Sequence, residues 1–323
     1  MLPNHLLQER FSAFLRERQL PASPENLYRP IEYFMGIGGK RIRPLLCLLG
    51  CQMFSDEVEK AFAPALAVEY FHNFSLLHDD VMDHAPLRRG VETVHVKYGL
   101  NAAILSGDAM LVKAYQYLSE AETGLSELVK LFTKTALEVC EGQQYDMDFE
   151  TRNGVSIAEY LLMIELKTAV LLAASLAMGA IVGGASAVDV AHLYGFGKNI
   201  GIAFQLQDDL LDTFGDPENF GKQVGGDILQ NKKTYLLLKA LETADAEQLE
   251  RLSYWMNTDI DKPDEKVREV KSIFEALDIQ EATEAIIQTY YQEAFSHLDK
   301  INVEPLRKQP LVELSEQLMF RQH

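Results

Sequence analysis

Apolar residues recur along most of the chain at intervals of three and four positions, which is the spacing of one face of an α-helix. The pattern is clearest over residues 61–78, 102–118, 125–143 and 188–211. Strictly alternating runs rich in β-branched residues, which would predict strands, are scarce. No proline occurs between Pro86 and Pro217, so the middle of the chain can form long uninterrupted helices. The pattern therefore predicts an all-α fold.

The chain of 323 residues contains no linker rich in proline, glycine and serine that would separate two halves. We therefore predict one large helical domain over residues 1–323, with a charged helical segment from Glu242 onward. The clearest long loop covers residues 214–230, where glycines and Pro217 surround Lys222. Long loops are commonly functional, so we expect a mobile segment that closes over a site.

One charge-free stretch, residues 168–188, approaches the ~20 residues that a transmembrane helix needs. Its many alanines and glycines, including Gly183 and Gly184, favour a helix buried inside a large bundle instead. The first residues lack a basic stretch followed by an apolar run, so no secretory signal is predicted. The three cysteines have no metal-ligand spacing. These features together predict a cytoplasmic protein without a transmembrane segment.

The overall charge limits the choice of partner. Acidic residues outnumber basic ones by 48 to 30, which gives a formal net charge of −18. Such an excess argues against nucleic acid and against an anionic membrane surface. Basic residues that serve in binding must therefore be concentrated locally.

Two short acidic clusters repeat one pattern, in which two adjacent aspartates are followed by a third after a gap of two residues. The first aspartate cluster is Asp79, Asp80 and Asp83, and the second aspartate cluster is Asp208, Asp209 and Asp212. Each follows an apolar run, so each helix offers a carboxylate stripe on an otherwise apolar surface. Facing stripes of like charge repel unless cations lie between them, and oxygen ligands favour Mg²⁺. Because Mg²⁺ completes its coordination with phosphate oxygens, the clusters predict a phosphorylated ligand.

Several basic residues occur in short stretches that suit an anion. They are Lys40, Arg43, Arg88, Arg89, Lys167, Lys222 and Lys232. Arginine forks match phosphate oxygens bidentately, and such local concentration in an acidic protein predicts a polyanionic substrate.

The order of these motifs resembles the trans-isoprenyl diphosphate synthases, or polyprenyl synthetases, of the short-chain farnesyl and geranylgeranyl type. The matching segments are GGKRIRP at 38–44, His72, DDVMD at 79–83 with Arg88-Arg89, Gly142-Gln143, Lys167-Thr168, FQLQDDLLD at 204–212 and Gly221-Lys222. The resemblance runs from about residue 36 to residue 234. It implies a single helical bundle around a central cavity, the isoprenoid synthase fold.

By this resemblance the chain is a prenyltransferase that joins isopentenyl diphosphate head to tail to an allylic diphosphate. The two aspartate clusters would hold two to three Mg²⁺ ions on the allylic diphosphate, which Arg88, Lys167 and Lys222 would also bind. Thr168 and Gln205 would line the developing cation. Lys232 would be the last substrate-binding lysine. The isopentenyl diphosphate site would comprise Lys40, Arg43, His72 and Arg89. Arg321 is a loose match to the basic C-terminal tail that touches isopentenyl diphosphate in some relatives. Members of the family are commonly homodimers.

Product length is also implied by the resemblance. The residue five before the first aspartate, Phe74, followed by Ser75, is expected to form the floor of the chain pocket, with Tyr115 as an alternative floor. A large ring there implies a short product, and the lack of a two-residue insertion in the first motif favours twenty carbons over fifteen. No motif side chain is an obvious base, so we expect the released diphosphate to accept the proton.

Two alternatives remain open. A class I terpene cyclase shares the fold and the first motif, but its second metal motif usually mixes Asn or Asp, Ser or Thr, and Glu, unlike FQLQDDLLD. A non-catalytic subunit of a hetero-oligomeric synthase is expected to have lost several aspartates, and this chain has all six.

Overall fold

The computed structural model describes residues 1–215, 225–257 and 262–319. Its α-helices, in chain order, are α1 Asn4–Glu17, α2 Glu25–Gly36, α3 Ile42–Phe54, α4 Phe62–Met82, α5 Val94–Tyr98, α6 Leu100–Leu118, α7 Leu125–Thr151, α8 Ile157–Ile164, α9 Val170–Gly183, α10 Ala187–Phe214, α11 Gly226–Leu229, α12 Tyr235–Thr243, α13 Ala246–Asn257, α14 Pro263–Ala276, α15 Ile279–Asp299 and α16 Pro305–Met319. A 3-10 turn at Val58–Ala61 precedes α4, and a π turn at Glu165–Ala169 joins α8 to α9. The all-α prediction is confirmed.

The four helices with the clearest apolar spacing are confirmed as α4, α6, α7 and α10. Helices α4, α7 and α10 continue beyond their predicted ends, to Met82, Thr151 and Phe214 respectively. Two of these extensions, in α4 and α10, carry aspartates of the two clusters, where polar side chains interrupt the apolar spacing. Apolar periodicity therefore locates the packed part of a helix better than its end.

The predicted loop at residues 214–230 is only partly correct. α10 ends at Phe214, but α11 lies inside the predicted loop, so the prediction is wrong over residues 226–229. Gly225 explains this early return to helix, because its φ of 88° is a left-handed conformation that glycine adopts readily. Its N–H donates to the carbonyl oxygen of Asp212 at 2.6 Å. Lys222 and Arg321 lie outside the described residues.

A small hairpin follows α4, with strands β1 Leu87–Arg88 and β2 Val91–Glu92 paired antiparallel. Its turn residues Arg89 and Gly90 have φ angles of 51° and 80°, as the commonest two-residue hairpin turn requires. The sequence analysis did not predict this hairpin, because two-residue strands are too short to show alternation.

The chain divides into two compact units, of which unit 1 comprises Met1–Ala136, Ala174–Tyr194 and Asn302–Leu311. Unit 2 comprises Leu137–Ala173, Gly195–Ile301 and Val312–His323. Compact units of this kind can belong to one domain, so the single-domain organisation stays a prediction.

Helix α4 lies in the core of unit 1, packed against α3 and α6. Its residues 64–71 are all buried, and all of them except Glu69 have largely apolar side chains, as expected of a helix in the core. Within the same unit, α3 approaches the chain at 174–183 closely enough for backbones to touch. A Cβ on Gly50 would lie 2.2 Å from the carbonyl oxygen of Leu176, and a Cβ on Gly179 would lie 1.8 Å from that of Cys47. Glycine is thus required at this contact.

The charge-free stretch at 168–188 forms α9 and the turns around it. By length and composition alone, the segment Ile157–Gly183 could span a membrane, with a mean hydropathy of 1.9 over its most apolar window. Of that window, 67% is buried inside the fold, and a core helix passes the same test.

Unit 2 has a core of its own, formed by apolar side chains of α8, α10, α12, α14 and α15. Tyr160 and Phe274 are among its largest fully buried members. The N-terminus of α8 is fixed by a capping box, in which Ser156 and Glu159 satisfy each other's backbone N–H groups.

We predict that Gly179→Ala destabilises the protein by about 1–3 kcal/mol or more, because the added methyl overlaps the carbonyl of Cys47 and the helices must separate. Chemical denaturation monitored by circular dichroism measures the change. Gly36→Ala is the matched control, since nothing lies within 4 Å of its added Cβ. Equal stability of the two variants would contradict the close backbone contact.

Candidate active site

The first aspartate cluster lies at the C-terminal end of α4. Asp80 is buried, and its Oδ2 accepts a hydrogen bond of 2.8 Å from Nε of Arg88. Asp83 is the first residue beyond the helix and is exposed, and its N–H donates to the carbonyl oxygen of Asp79 at 2.8 Å. The cluster therefore holds one carboxylate against an arginine and leaves another open to solvent.

The hairpin carries both arginines of the Arg88-Arg89 pair. The Arg89 guanidinium lies against the backbone of Gly39, where a Cβ would come within 2.6 Å of Nη1. Lys40 follows in the same loop and is exposed. Glycine at position 39 thus lets the segment before α3 approach Arg89. The GGKRIRP motif at 38–44 and the hairpin therefore contact each other within unit 1.

Arg43 and His72, both implied in isopentenyl diphosphate binding, contact each other. Nη1 of Arg43 donates to Nε2 of His72 at 3.0 Å. A guanidinium can only donate, so this ring nitrogen carries no proton and the imidazole is neutral. The pKa of His72 lies well below its usual value because the ring is buried and because Arg43, Arg88 and Arg89 are close. Burial also lowers the pKa of Arg43 to about 10. Within the described residues, the buried Nε of Arg43 has no hydrogen-bond partner.

Glu69 belongs to the same cationic region and was missed by the sequence analysis. Its Oε1 lies 4.0 Å from Nε of Arg41, and the residue is 7% exposed. Burial raises the pKa of Glu69, although Asn73 and the neighbouring arginines favour its charged form. Its position could have indicated a role, because Glu69 lies on α4 one helical turn before His72, on the same face of the helix. The predicted isopentenyl diphosphate site is therefore a cationic cluster with one buried carboxylate.

The two candidates for the floor of the chain pocket belong to one series of aromatic contacts in unit 1. Phe74 lies between Phe71 and His78, and Tyr115 reaches the same series through Phe132. Ring centroids are 4.8 Å apart for Phe74 and His78, 5.7 Å for Phe74 and Phe71, 5.4 Å for Phe71 and Phe132, and 5.1 Å for Phe132 and Tyr115. The hydroxyl of Ser75 donates to the carbonyl of His72 at 2.9 Å. Phe74 and Tyr115 are thus connected by a continuous series of packed rings.

The second aspartate cluster lies on α10 in unit 2, and its middle aspartate is enclosed. Asp209 is 6% exposed; its Oδ2 accepts from the hydroxyl of Tyr160, and its Oδ1 accepts from Nε2 of Gln205 at 3.0 Å. The hydroxyl of Thr168 donates to Oε1 of Gln205 at 3.3 Å. Hydrogen bonds therefore connect the two residues implied at the allylic cation to this cluster.

Asp227, which the sequence analysis placed in a loop, adds a carboxylate beside this cluster. Its N–H donates to Oδ2 of Asp212 at 2.9 Å, and its Oδ1 lies 3.2 Å from Nζ of Lys232. Burial, together with Asp227 and Asp208, raises the pKa of Asp209 to about 7 despite its hydrogen bonds. Burial disfavours the charge on Lys232, but Asp227 outweighs it and the pKa of Lys232 is raised. Negative charge is thus concentrated in this part of unit 2.

Lys167 and Thr168 lie in the π turn between α8 and α9. A Cβ on Gly142 of α7 would lie 2.2 Å from the backbone nitrogen of Lys167, so glycine is needed where α7 passes this turn. Nζ of Lys167 pairs with Asp146 of α7 at 2.5 Å. The sequence analysis missed Asp146. Single π turns are frequent at functional sites. In this one, the wider turn changes the direction of Lys167 and Thr168 from that of a regular α-helix.

Comparison with known proteins identifies the family. A sequence model described as polyprenyl synthetase matches residues 24–277. The chain belongs to the polyprenyl synthetase family. It is 36% identical over 321 residues to a geranylgeranyl pyrophosphate synthase of Geoglobus acetivorans, covering 98% of this chain and 97% of that one. It is 42% identical over 244 residues to a geranylfarnesyl diphosphate synthase of Natronomonas pharaonis, covering 69% and 71%.

A solved structure agrees with this assignment. A crystal structure of a geranylgeranyl pyrophosphate synthase matches this polyprenyl synthetase with a TM-score of 0.94 and 46% identity, over 100% of both chains. The predicted isoprenoid synthase fold is therefore confirmed, and the protein is a prenyltransferase.

The family works with a divalent metal ion, and the carboxylates of this polyprenyl synthetase fit one. A divalent cation would relieve the crowding that raises the pKa of Asp209, and a set of oxygen donors suits Mg²⁺. In the part of the chain that the structure describes, no three His, Cys, Asp or Glu side chains are grouped so as to hold a metal by themselves. Mg²⁺ commonly takes one or two carboxylates and completes its shell with water and phosphate oxygens. The metal roles of the six aspartates stay predictions.

We predict that His72 makes stability fall as the pH drops below about 6.5, the usual histidine pKa. The folded state keeps His72 neutral while the unfolded chain takes up a proton there, so acid favours unfolding. Uptake of one proton on unfolding changes the free energy of unfolding by about 1.4 kcal/mol per pH unit, between the pKa of His72 in the folded state and its pKa in the unfolded chain. Denaturation of wild type and His72→Gln from pH 5 to 7.5 measures the slope, which should be smaller in the variant.

The exposed His5 supplies the matched control for this experiment. His5→Gln should leave the slope unchanged, because the side chain at this position is exposed in the folded protein and so is not transferred from a buried site to water on unfolding. If His72→Gln and His5→Gln both retain the wild-type slope, His72 is not held neutral in the fold.

Proposed function

We propose that this prenyltransferase condenses isopentenyl diphosphate with an allylic diphosphate to give a short trans-prenyl diphosphate, with geranylgeranyl diphosphate as the main product. The observation that carries the proposal is the match over nearly the whole chain to a protein named geranylgeranyl pyrophosphate synthase. The cationic region of unit 1 and the carboxylates of unit 2 support it, because the reaction needs groups that bind two diphosphates.

Isopentenyl diphosphate binding falls to the cationic region of unit 1. Arg43 and Arg89 offer guanidinium forks that match phosphate oxygens, and the buried Nε of Arg43 is a donor that an anion could satisfy. Lys40 lies in the adjoining loop and adds a charge. Neutral His72 accepts from Arg43 and so holds the guanidinium in place. Glu69 offsets part of the positive charge before the substrate binds.

The allylic diphosphate is assigned to the aspartate clusters with two to three Mg²⁺ ions, and to Arg88, Lys167, Lys222 and Lys232. When bound, Mg²⁺ would neutralise charge on the departing diphosphate. Arg88 pairs with Asp80, Lys167 with Asp146 and Lys232 with Asp227, so each described cation already faces an anion. A diphosphate would take over part of these interactions.

Bond formation needs a cation that is protected from water. Loss of the diphosphate leaves an allylic cation, which the isopentenyl double bond attacks, and a proton then leaves. Thr168 and Gln205 offer oxygen atoms with partial negative charge for the cation. The released diphosphate is the proposed proton acceptor. Replacement of one nearby side chain that blocks proton loss but permits ionisation would contradict this assignment.

We also propose that the protein is a cytoplasmic homodimer. Leu105 and Val112 are 60% and 68% exposed and lie two turns apart on α6, as expected of a helix that is covered by a second copy. The free cysteines suit a reducing compartment. A monomeric mass by light scattering at micromolar concentration would contradict the dimer, and recovery outside the cytoplasm on fractionation would contradict the localisation.

The reaction is tested with purified protein, labelled isopentenyl diphosphate and, separately, dimethylallyl, geranyl or farnesyl diphosphate. We expect one elongated alcohol of twenty carbons after dephosphorylation, loss of turnover on chelation, and recovery on addition of Mg²⁺. Asp83→Asn should lower the rate by about tenfold or more, because a metal ligand is lost at an exposed position. Asp264→Asn, exposed on α14, is the control and should be fully active.

Other products separate the alternatives. A cyclic hydrocarbon would indicate a terpene cyclase. No elongation by folded protein with Mg²⁺ would contradict the proposal and favour a subunit that needs a catalytic partner.

We predict that Phe74→Ala lengthens the product by one or more five-carbon units, because it removes the ring expected at the floor of the chain pocket. Chromatography of the dephosphorylated alcohols measures the length. Phe62→Ala is the control, since it removes the same volume from α4 where Phe62 packs on Phe14. If Phe74→Ala leaves the length unchanged and Tyr115→Ala increases it, the floor lies at Tyr115.

A further inference from the structure

The hydroxyl of Tyr160 is a buried point at which three segments of unit 2 meet. It donates to Oδ2 of Asp209 on α10. The backbone of Tyr235, the first residue of α12 and three positions after Lys232, lies close enough to this hydroxyl to act against the rise in its pKa. Tyr160 itself lies on α8, which leads directly into the π turn with Lys167 and Thr168. This hydroxyl therefore joins α8 to α10, near the start of α12.

The direction of each hydrogen bond in this group is determined by chemistry. Nε2 of Gln205 donates to Oδ1 of Asp209, and this is the direction required when Asp209 is ionised, because a carboxylate only accepts. Its oxygen then faces Thr168 and accepts the hydroxyl proton of that residue. The lone pairs of the Thr168 oxygen then point away from Gln205 and are available to the proposed allylic cation. Reversal of the Gln205 amide would place a nitrogen donor against Thr168 and turn its hydroxyl.

We propose that Tyr160 is a positioning residue for prenyl transfer, which fixes Asp209 and, through it, the orientation of Gln205 and Thr168. This inference rests on the proposed function, since it gives Tyr160 a part in the same reaction. Tyr160 is remote from substrate in this scheme and acts only through the hydrogen-bonded residues.

Burial makes the hydroxyl difficult to replace. Tyr160 is 2% exposed, and its pKa is raised well above the usual value by burial and by Asp209, so it stays a neutral donor. Without the hydroxyl, Asp209 would lose a donor at Oδ2, in surroundings that water cannot easily reach. Asp209 would then be free to turn, and Gln205 with it.

The competing explanation is that Tyr160 only fills the apolar core of unit 2, to which its ring belongs. Tyr160→Phe separates the two explanations because it keeps the ring and removes the hydroxyl. We expect kcat to fall by about tenfold or more while KM for both diphosphates stays within about threefold, because orientation at the cation is lost and diphosphate contacts remain. Circular dichroism and thermal unfolding establish that the variant is folded.

Tyr291→Phe is the matched control. Tyr291 packs against the same apolar core and its ring lies 4.6 Å from that of Phe295. Removal of its hydroxyl should leave kcat and KM at wild-type values. An equal fall in kcat for Tyr160→Phe and Tyr291→Phe would overturn the proposal, since any hydroxyl lost from this core would then have the same effect.

A double-mutant cycle tests whether Tyr160 acts through the hydrogen-bonded residues. If Tyr160 and Thr168 act as one unit, adding Thr168→Val to Tyr160→Phe should lower kcat little further. If the two losses multiply, the residues act independently and the proposal is overturned. Wild-type kcat within about twofold for Tyr160→Phe would overturn it as well.

Asp209→Asn provides a second route if Tyr160→Phe does not fold. Asparagine replaces one of the two carboxylate oxygens with an NH₂ donor, so one of Tyr160 and Gln205 loses the oxygen that it now faces. We expect a fall in kcat that excess Mg²⁺ does not fully restore, with KM for isopentenyl diphosphate retained. Complete recovery with Mg²⁺ would show that Asp209 acts on the metal alone and would overturn the proposal. An inactive wild type would instead contradict the proposed function, which keeps the two failures distinct.

Discussion

Charged side chains on buried helices need partners, and this requirement determines the arrangement of the site residues in both units. An isolated charge in a protein interior is strongly unfavourable, so such a group is paired, hydrogen-bonded or neutralised. In unit 1, Asp80 is held by Arg88; in unit 2, Asp209 is held by Tyr160 and Gln205. These bonds fix side-chain rotamers before any substrate is present. In the proposed reaction, preorganisation of this kind would lower the free-energy cost of arranging the site.

The sequence predicted the helical class, four of the long helices and both aspartate clusters because those signals are local. Apolar spacing marks the packed face of a helix, and a repeated carboxylate pattern after an apolar run is conspicuous. Tyr160 gave no such signal, since a tyrosine within an apolar helix has the pattern of any core residue. Its partner Asp209 lies 49 positions away, and Asp146 lies 21 positions from Lys167. Pairings over such distances depend on the fold, which one sequence does not display.

The smallest elements were missed for a different reason. The hairpin at 87–92 depends on the positive φ angles of Arg89 and Gly90. Helix α11 depends in the same way on Gly225. Periodicity needs several residues to appear, so elements of two to four residues leave no periodic trace. Both elements adjoin site residues. Their side chains are therefore placed by local φ angles that composition alone does not predict.

Pairing of the cations with carboxylates also bears on which anions can bind. Arg88, Lys167 and Lys232 each face an aspartate, so an incoming anion replaces one favourable interaction with another. A singly charged anion gains little from that exchange, because it offers the same charge as the aspartate it displaces. A diphosphate carries more charge and more acceptor oxygens, and it can contact several cations at once. If these cations bind the substrate as proposed, the pairs would favour polyanions, because a simpler anion gains little free energy by displacing an aspartate. This form of selectivity needs no direct repulsion.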